Sequence, residues 1–283
     1  MYENFIPNVW AEAIERDLER HCVFAEDCHR KYEGKIKKQG ESVTILGIGK
    51  PTIKHLTRKD AGKKIDDAET IEDTSLIMPI NQFVYFNYKI DDIDKAQAVG
   101  GVMEALKSET TEGLANDVDK YIAKLAADSN VKRLYETAPV IVGESPTNGE
   151  VYVLDAVDEA VELLQEEDVA DSTEIIITIS PKFRRRFKKA YRLEDTDNSN
   201  ILKHGRIGKY DNVTVKISNN IYRDGVVDNI PIRTKRAIAY ANPFTHVEAY
   251  RPESYFCDAV KGYTLYDAKI VRPKEIININ CKY

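Results

Sequence analysis

The stretch that most constrains this chain is 91–127, DDIDKAQAVGGVMEALKSETTEGLANDVDKYIAKLAA. Apolar residues recur at Val99, Met103, Leu106, Leu114, Val118, Tyr121, Ile122 and Leu125, in steps that suit one face of an α-helix. Asp91, Asp92 and Asp94 stand at its start, where acids favour the positive end of the helix dipole. At 1.5 Å per residue this helix spans roughly 55 Å, several times the mean helix of about 11–12 residues. A rod of that length in a chain of 283 residues predicts an extended subunit rather than a ball. Gly100, Gly101 and Gly113 each weaken the helix by about 1 kcal/mol against Ala, so a bend or the close approach of another backbone is expected there.

The flanking segments leave apolar surface without a local cover. Residues 4–28 read as a short lead and a helix with Trp10, Ile14, Leu18 and Cys22 four apart and charged residues on the other faces. A single stripe of this kind has to dock on another element or another chain. SVTILGIG (42–49) and 83–90 are rich in β-branched and aromatic residues, and Val84, Phe86, Tyr88 and Ile90 alternate with more polar neighbours. Between them runs LTRKDAGKKIDDAETIED (56–73), charged and poor in large apolar residues. The pattern predicts a long β-ribbon with a charged tip, which is marginal alone in water and needs a surface to lie against.

After Pro139 and the loop ESPTNGE (144–150), strands and helices alternate. VYVL (151–154) reads as a strand, and the helix 155–168 buries Ala156, Val157, Ala160, Val161 and Leu164 while presenting Asp158, Glu159, Glu162, Glu166, Glu167 and Asp168 outward. IIITI (175–179) has no polar face, as for a strand covered on both sides. Ser180 and Pro181 form a helix start for PKFRRRFKKAY, in which Phe183 and Phe187 anchor one face and Arg184, Arg185, Arg186, Lys188 and Lys189 fill the rest. Val213, Val215 and Ile217 alternate along the next strand. The order predicts a compact α/β module over 140–235, with strands returning from 237 onward.

Catalytic patterns are missing. The formal net charge of -6 and pI of about 5.6 disfavour general nucleic-acid binding but leave room for a local basic patch. Cys22, Cys28, Cys257 and Cys281 have no disulfide-framework spacing, which fits reduced thiols inside a cell. No window approaches the roughly 18 apolar residues of a membrane span, and the acidic N-terminus lacks signal-peptide features. His21, Cys22, Cys28 and His29 resemble metal ligands, but on one helix the spacing places them some 10 Å apart, too far for one zinc; packing cysteines at a helix end is the better reading. GIGKPT (47–52) and GRIGK (205–209) miss the phosphate-loop and dinucleotide spacings. No catalytic, cofactor-binding or metal residue is assigned, and the chain is read as a non-enzyme. The basic helix suits a protein partner better than nucleic acid in so acidic a chain, and the acidic helix 155–168 offers a match for it.

The order of amphipathic arm, long ribbon, long helix, α/β module and closing strands resembles the major capsid proteins of tailed double-stranded-DNA bacteriophages, the Hong Kong 97 fold. FIPNVWAEAIERDLER followed by YEGKIKKQGESVTI is similar to the family's N-terminal start and entry into its extended loop; GRIGKYDNVTVKISNNI is similar to its axial strand pair, and AYRPESYFCDAVKGYTLYDAKIVRPKEI to its closing strands. The resemblance implies an α+β fold with an N-terminal arm (1–30), an extended loop (31–90), a peripheral domain with the spine helix (91–135 and 237–271) and an axial domain (136–236 and 272–283). It implies a structural protein of the virion capsid, assembled in the host bacterial cytoplasm into hexamers and pentamers. Its partners would be copies of itself, a scaffolding protein, a portal protein and packaged double-stranded DNA held weakly, with no membrane and no cofactor. Interfaces should exceed about 2,000 Å² per chain. The expected interface residues are Trp10, Ile14 and Leu18 on the arm, Arg58, Lys59, Lys63 and Lys64 in the loop, and Glu162, Glu166, Arg184, Arg185 and Arg186 in the axial domain. An encapsulin, a cellular shell of the same fold, is one alternative. A cytosolic α/β enzyme with a convergent polar pocket is another, and a nucleic-acid module built on 183–189 a third.

Overall fold

The computed structural model describes residues 22–32, 42–48, 73–91, 102–137, 139–143, 150–170, 172–193, 208–254 and 257–283. Trp10, Ile14, Leu18, Arg58, Lys59, Lys63 and Lys64 lie outside them. In chain order the described elements begin with β1 (Ser42–Ile48), β2 (Asp73–Pro79), β3 (Gln82–Asp91), α1 (Val102–Ala126), β4 (Lys132–Leu134), β5 (Val140–Gly143), β6 (Glu150–Tyr152) and α2 (Val153–Glu166). They continue with β7 (Ile175–Ile179), α3 (Pro181–Leu193), β8 (Lys209–Tyr210), β9 (Val213–Ile217), β10 (Arg223–Asp224), β11 (Val227–Thr234), β12 (Ile238–Tyr250), β13 (Cys257–Ile270) and β14 (Ile276–Lys282).

The α/β module is a mixed sheet in the order β6-β5-β14-β11-β7-β9-β8, with β4 also paired to β14 and β10 to β11. Side chains opposite one another across a ladder share a face, so the register separates an apolar face from a polar one. Ile232 lies opposite Ile277 and Ile177, and these pack in one cluster with Val157, Ala160 and Leu164 of α2 and Phe183 and Phe187 of α3. The Ser180 hydroxyl accepts the Phe183 N–H at 3.1 Å, the expected cap of α3. The other face carries Arg233, Lys216 and Asn278, and it is covered by residues 22–28 and the end of α1. All five residues of β7 are buried, because the sheet is covered on both sides.

Residues 22–32 join the parts. They form turns rather than the predicted helix end, because their backbone groups are claimed by other elements. The N–H groups of Val23, Phe24 and Ala25 donate to the Asp119 carboxylate of α1 at 2.8, 3.0 and 3.4 Å. Fully buried Arg233 donates to the carbonyls of Asp27 at 2.6 Å and Phe24 at 2.9 Å. Lys216 reaches the Asp27 carboxylate at 2.8 Å. His29 pairs with β12: its N–H donates to Ile238 O at 2.9 Å, and its carbonyl accepts from Tyr240 at 3.0 Å.

The long helix is present over Val102–Ala126, and Asp91, read as its start, is not helical. Asp91 is the last residue of β3, opposite Cys257, because the ladder to β13 runs through it. The 25 residues of α1 span about 37 Å. Leu114, Val118 and Ile122 of the predicted stripe are buried, and Ala126 extends it. The helix docks on the three-stranded sheet β12-β13-β3. Tyr266 OH donates to Asp117 at 2.8 Å and Tyr121 OH to Asp267 at 2.7 Å, the two rings meeting edge-on at 5.6 Å.

The predicted ribbon changes partner. β1 pairs with β2, from Ser42↔Pro79 to Ile48↔Asp73, and not with 83–90. β3 instead completes the sheet with β13. Its Val84, Phe86 and Tyr88 pack on the core, and a sheet with a helix behind it buries more than a free ribbon. The ribbon lies on that sheet through Val43, Ile45 and Met78 against Ala239, Ala241 and Leu265.

Two substitutions test this packing. Arg233→Met removes the donors to two buried carbonyls, and unfolding in urea should show a loss of about 2–4 kcal/mol; an unchanged midpoint would contradict the clamp. A Cβ on Gly262 would stand 2.5 Å from the Phe86 ring and 2.8 Å from the His246 carbonyl. Gly262→Ala should therefore cost about 1–3 kcal/mol by the same measurement, and a neutral result would contradict the register of β3 on β13.

Candidate assembly surfaces

α1 covers one face of the sheet β12-β13-β3, and the ribbon covers only the Leu265 end of the other. Farther along that second face, Asn87, Lys89, His246, Glu248 and Lys261 are exposed. Along β3 the alternation puts Phe83, Tyr85, Asn87 and Lys89 outward, and Phe83 and Tyr85 are 53% and 70% exposed. The Phe83 ring stacks on Tyr263 at 5.1 Å, and His246 approaches Tyr263 at 5.6 Å. Beside these rings, Lys261 pairs with Glu248 at 3.1 Å and lies 4.9 Å above the Tyr250 ring, while Tyr250 OH donates to Asn87 at 3.1 Å. Phe83, Tyr85, His246, Glu248, Lys261 and Tyr263 line a groove of about 570 Å³. Aromatic floor and polar rim are the anatomy of a protein interface, and clustered exposed apolar side chains mark interaction sites. Ile77 on the ribbon and Val226 beside Gly225 in the β10–β11 turn are also more than half exposed.

The α/β module supplies the second surface. Glu162 and Glu166 of α2 and Arg184 and Arg185 of α3 are exposed, as expected. Arg186 is half-buried, its guanidinium 4.8 Å above the Tyr283 ring. The fold sets the two helices side by side without pairing these charges. Neighbouring acids turn to other partners: Asp158 accepts from Tyr210 OH at 3.1 Å and Glu167 pairs with Lys274 at 2.8 Å. Among the described residues, Glu162, Glu166, Arg184 and Arg185 have no ion-pair partner in the chain.

The cysteine and histidine cluster serves packing. Cys28 Sγ donates to Phe24 O at 3.2 Å, and the His29 ring meets Tyr32 edge-on at 5.4 Å. Burial pushes the Cys28 thiol up against the pull of Arg233, and burial pushes Cys281 up to about 12; neither is a thiolate nucleophile at neutral pH. His21 lies outside the described residues. The sequence reading missed Asp119 and Arg233, whose signal was a lone cation in the apolar run NIPIRT and a lone acid at a helix position facing the core. It also missed the outer partners His246 and Tyr263, which the β12–β13 register sets opposite each other and the β3–β13 register brings beside Tyr85.

No protein-family model and no curated protein matches this chain. Solved structures do. A structure from Mycobacterium phage Che8 is 26% identical and superposes with a TM-score of 0.74 over 91% of this chain and 90% of that one. The capsid structure of the cyanophage P-SCSP1u, 15% identical, gives 0.67 over 87% and 84%. A virus-like particle from Pyrococcus furiosus, 12% identical, gives 0.58 over 96% and 98%. The fold is that of phage capsids, and these matches, which span most of the chain, support its resemblance to the major capsid proteins of tailed bacteriophages.

Proposed function

We propose that this chain assembles with its own copies into an icosahedral shell of the Hong Kong 97 type that encloses phage double-stranded DNA. The observation that carries the reading is the open aromatic face of a sheet that has the phage-capsid fold behind it. Phe83 and Tyr85 are left for another chain to cover, beside the half-buried Tyr263. α1 takes the part of the spine helix. The peripheral domain holds α1 with β3, β12 and β13, and the axial domain holds the mixed sheet with α2 and α3. The extended loop runs over 31–80, ending where β3 enters the three-stranded sheet, ten residues before the boundary read from sequence. The arm over 1–30 and the loop residues Arg58, Lys59, Lys63 and Lys64 reach neighbouring subunits. Hexamers and pentamers form the shell, with a scaffolding protein and a portal as partners, in the cytoplasm of a host bacterium and then in the virion.

The likeness to the Pyrococcus furiosus particle favours a second reading, an encapsulin-type shell around protein cargo. Electron microscopy of the protein produced in bacteria should show closed shells or capsomers; monodisperse monomers at every concentration would refute both readings, and protein cargo in place of nucleic acid in native particles would favour the second. Phe83→Ser with Tyr85→Ser removes exposed rings, so the isolated subunit should change in stability by no more than about 1 kcal/mol. The same variant should lose assembly, read by sedimentation, and normal shells from it would contradict the role of this face.

A further inference from the structure

We infer that α3 of one copy docks on α2 of the next, so that a belt of cation–carboxylate pairs closes the ring of axial modules. The inference rests on the shell reading and names the contact that joins neighbouring subunits there. α3 buries Phe183, Phe187 and Ala190 beneath it and turns Lys182, Arg184, Arg185 and Lys189 to solvent. α2 buries Val153, Leu154, Ala156, Val157, Ala160 and Leu164 and turns Asp155, Asp158, Glu159, Glu162 and Glu166 to solvent. Each helix therefore presents one sign of charge, and both lie in the layer on the apolar side of the same sheet.

Within the chain these charges do not neutralise one another. Glu162, Glu166, Arg184 and Arg185 are without ion-pair partners among the described residues, although the two helices are neighbours. The first subunit thus offers an acidic surface and a basic surface at different places on one module. Such a pair suits a heterologous contact, in which the patch on one copy meets a different patch on the next, and a heterologous contact that closes makes a ring. Complementary charge also selects the correct neighbour, because α2 against α2 or α3 against α3 sets like charges together. A packaged polyanion would be attracted to α3 but repelled by α2 beside it, which favours a second copy of this chain as the occupant.

The test is a charge exchange in the full chain. Arg184→Glu with Arg185→Glu, and separately Glu162→Arg with Glu166→Arg, should each raise the concentration needed for assembly by about tenfold or more. Circular dichroism and thermal melting should show both variants folded, since all four side chains are exposed. Combining the four reversals should restore assembly. Either double variant forming shells like the wild type, or the combined variant failing to recover, would overturn the contact while leaving the shell reading intact. Normal shells that have lost only their nucleic acid in the arginine variant would overturn it too, by placing α3 against the packaged polymer. A wild type that forms no shells would bring down both.

Discussion

A single buried guanidinium holds the architecture together. Arg233 sits at the centre of the mixed sheet, fully enclosed, and spends its charge on the Phe24 and Asp27 carbonyls. Asp119 on α1 captures the amides of the same segment from the other side. Burial pushes the Asp119 carboxyl up, and the three backbone hydrogen bonds and the Arg233 charge oppose that push. Removing two charges from water is costly unless hydrogen bonds satisfy them, and here most of those bonds run to one stretch of backbone. Residues 22–32 are consequently fixed in register against the sheet, the long helix and β12 at once. The relative position of the two sheets follows from that stretch.

Periodicity exposed the elements that bury one face. The stripe on α1, the β7 run without a polar residue, the anchors Phe183 and Phe187, and the Ser180 cap were all legible, because each is a local pattern with a local cause. The ribbon was not. DTSLIMP has a charged start, a proline end and no clean alternation, so β2 was invisible and β3 was assigned its place. Strand pairing is a non-local choice, settled here by a core helix waiting behind β3. The clamp was hidden for the same reason, since Arg233 and Asp119 acquire their meaning from residues about a hundred or more positions away. Of the candidate surfaces, the charged faces of α2 and α3 were readable from composition and spacing. The aromatic groove needed the register of three strands.

The two surfaces divide the labour of association. The sheet face offers rings whose burial is favourable and largely indifferent to partner orientation. The helices offer charges that contribute little energy when exposed but discriminate strongly between right and wrong neighbours. A subunit that kept both faces covered by its own chain would be a stable globule with no reason to assemble. Among the described residues, the ribbon covers one end of that sheet face and leaves Phe83 and Tyr85 exposed.

Side-chain footprinting with hydroxyl radicals tests that asymmetry most directly, comparing free subunits with assembled protein. Oxidation of Phe83 and Tyr85 should be high in the subunit and fall several-fold on assembly, while Tyr240 and Phe24, buried within the subunit, should stay low. Equal oxidation of these two outer rings in subunits and shells would contradict the account, because the face would then remain bare after the neighbours arrive.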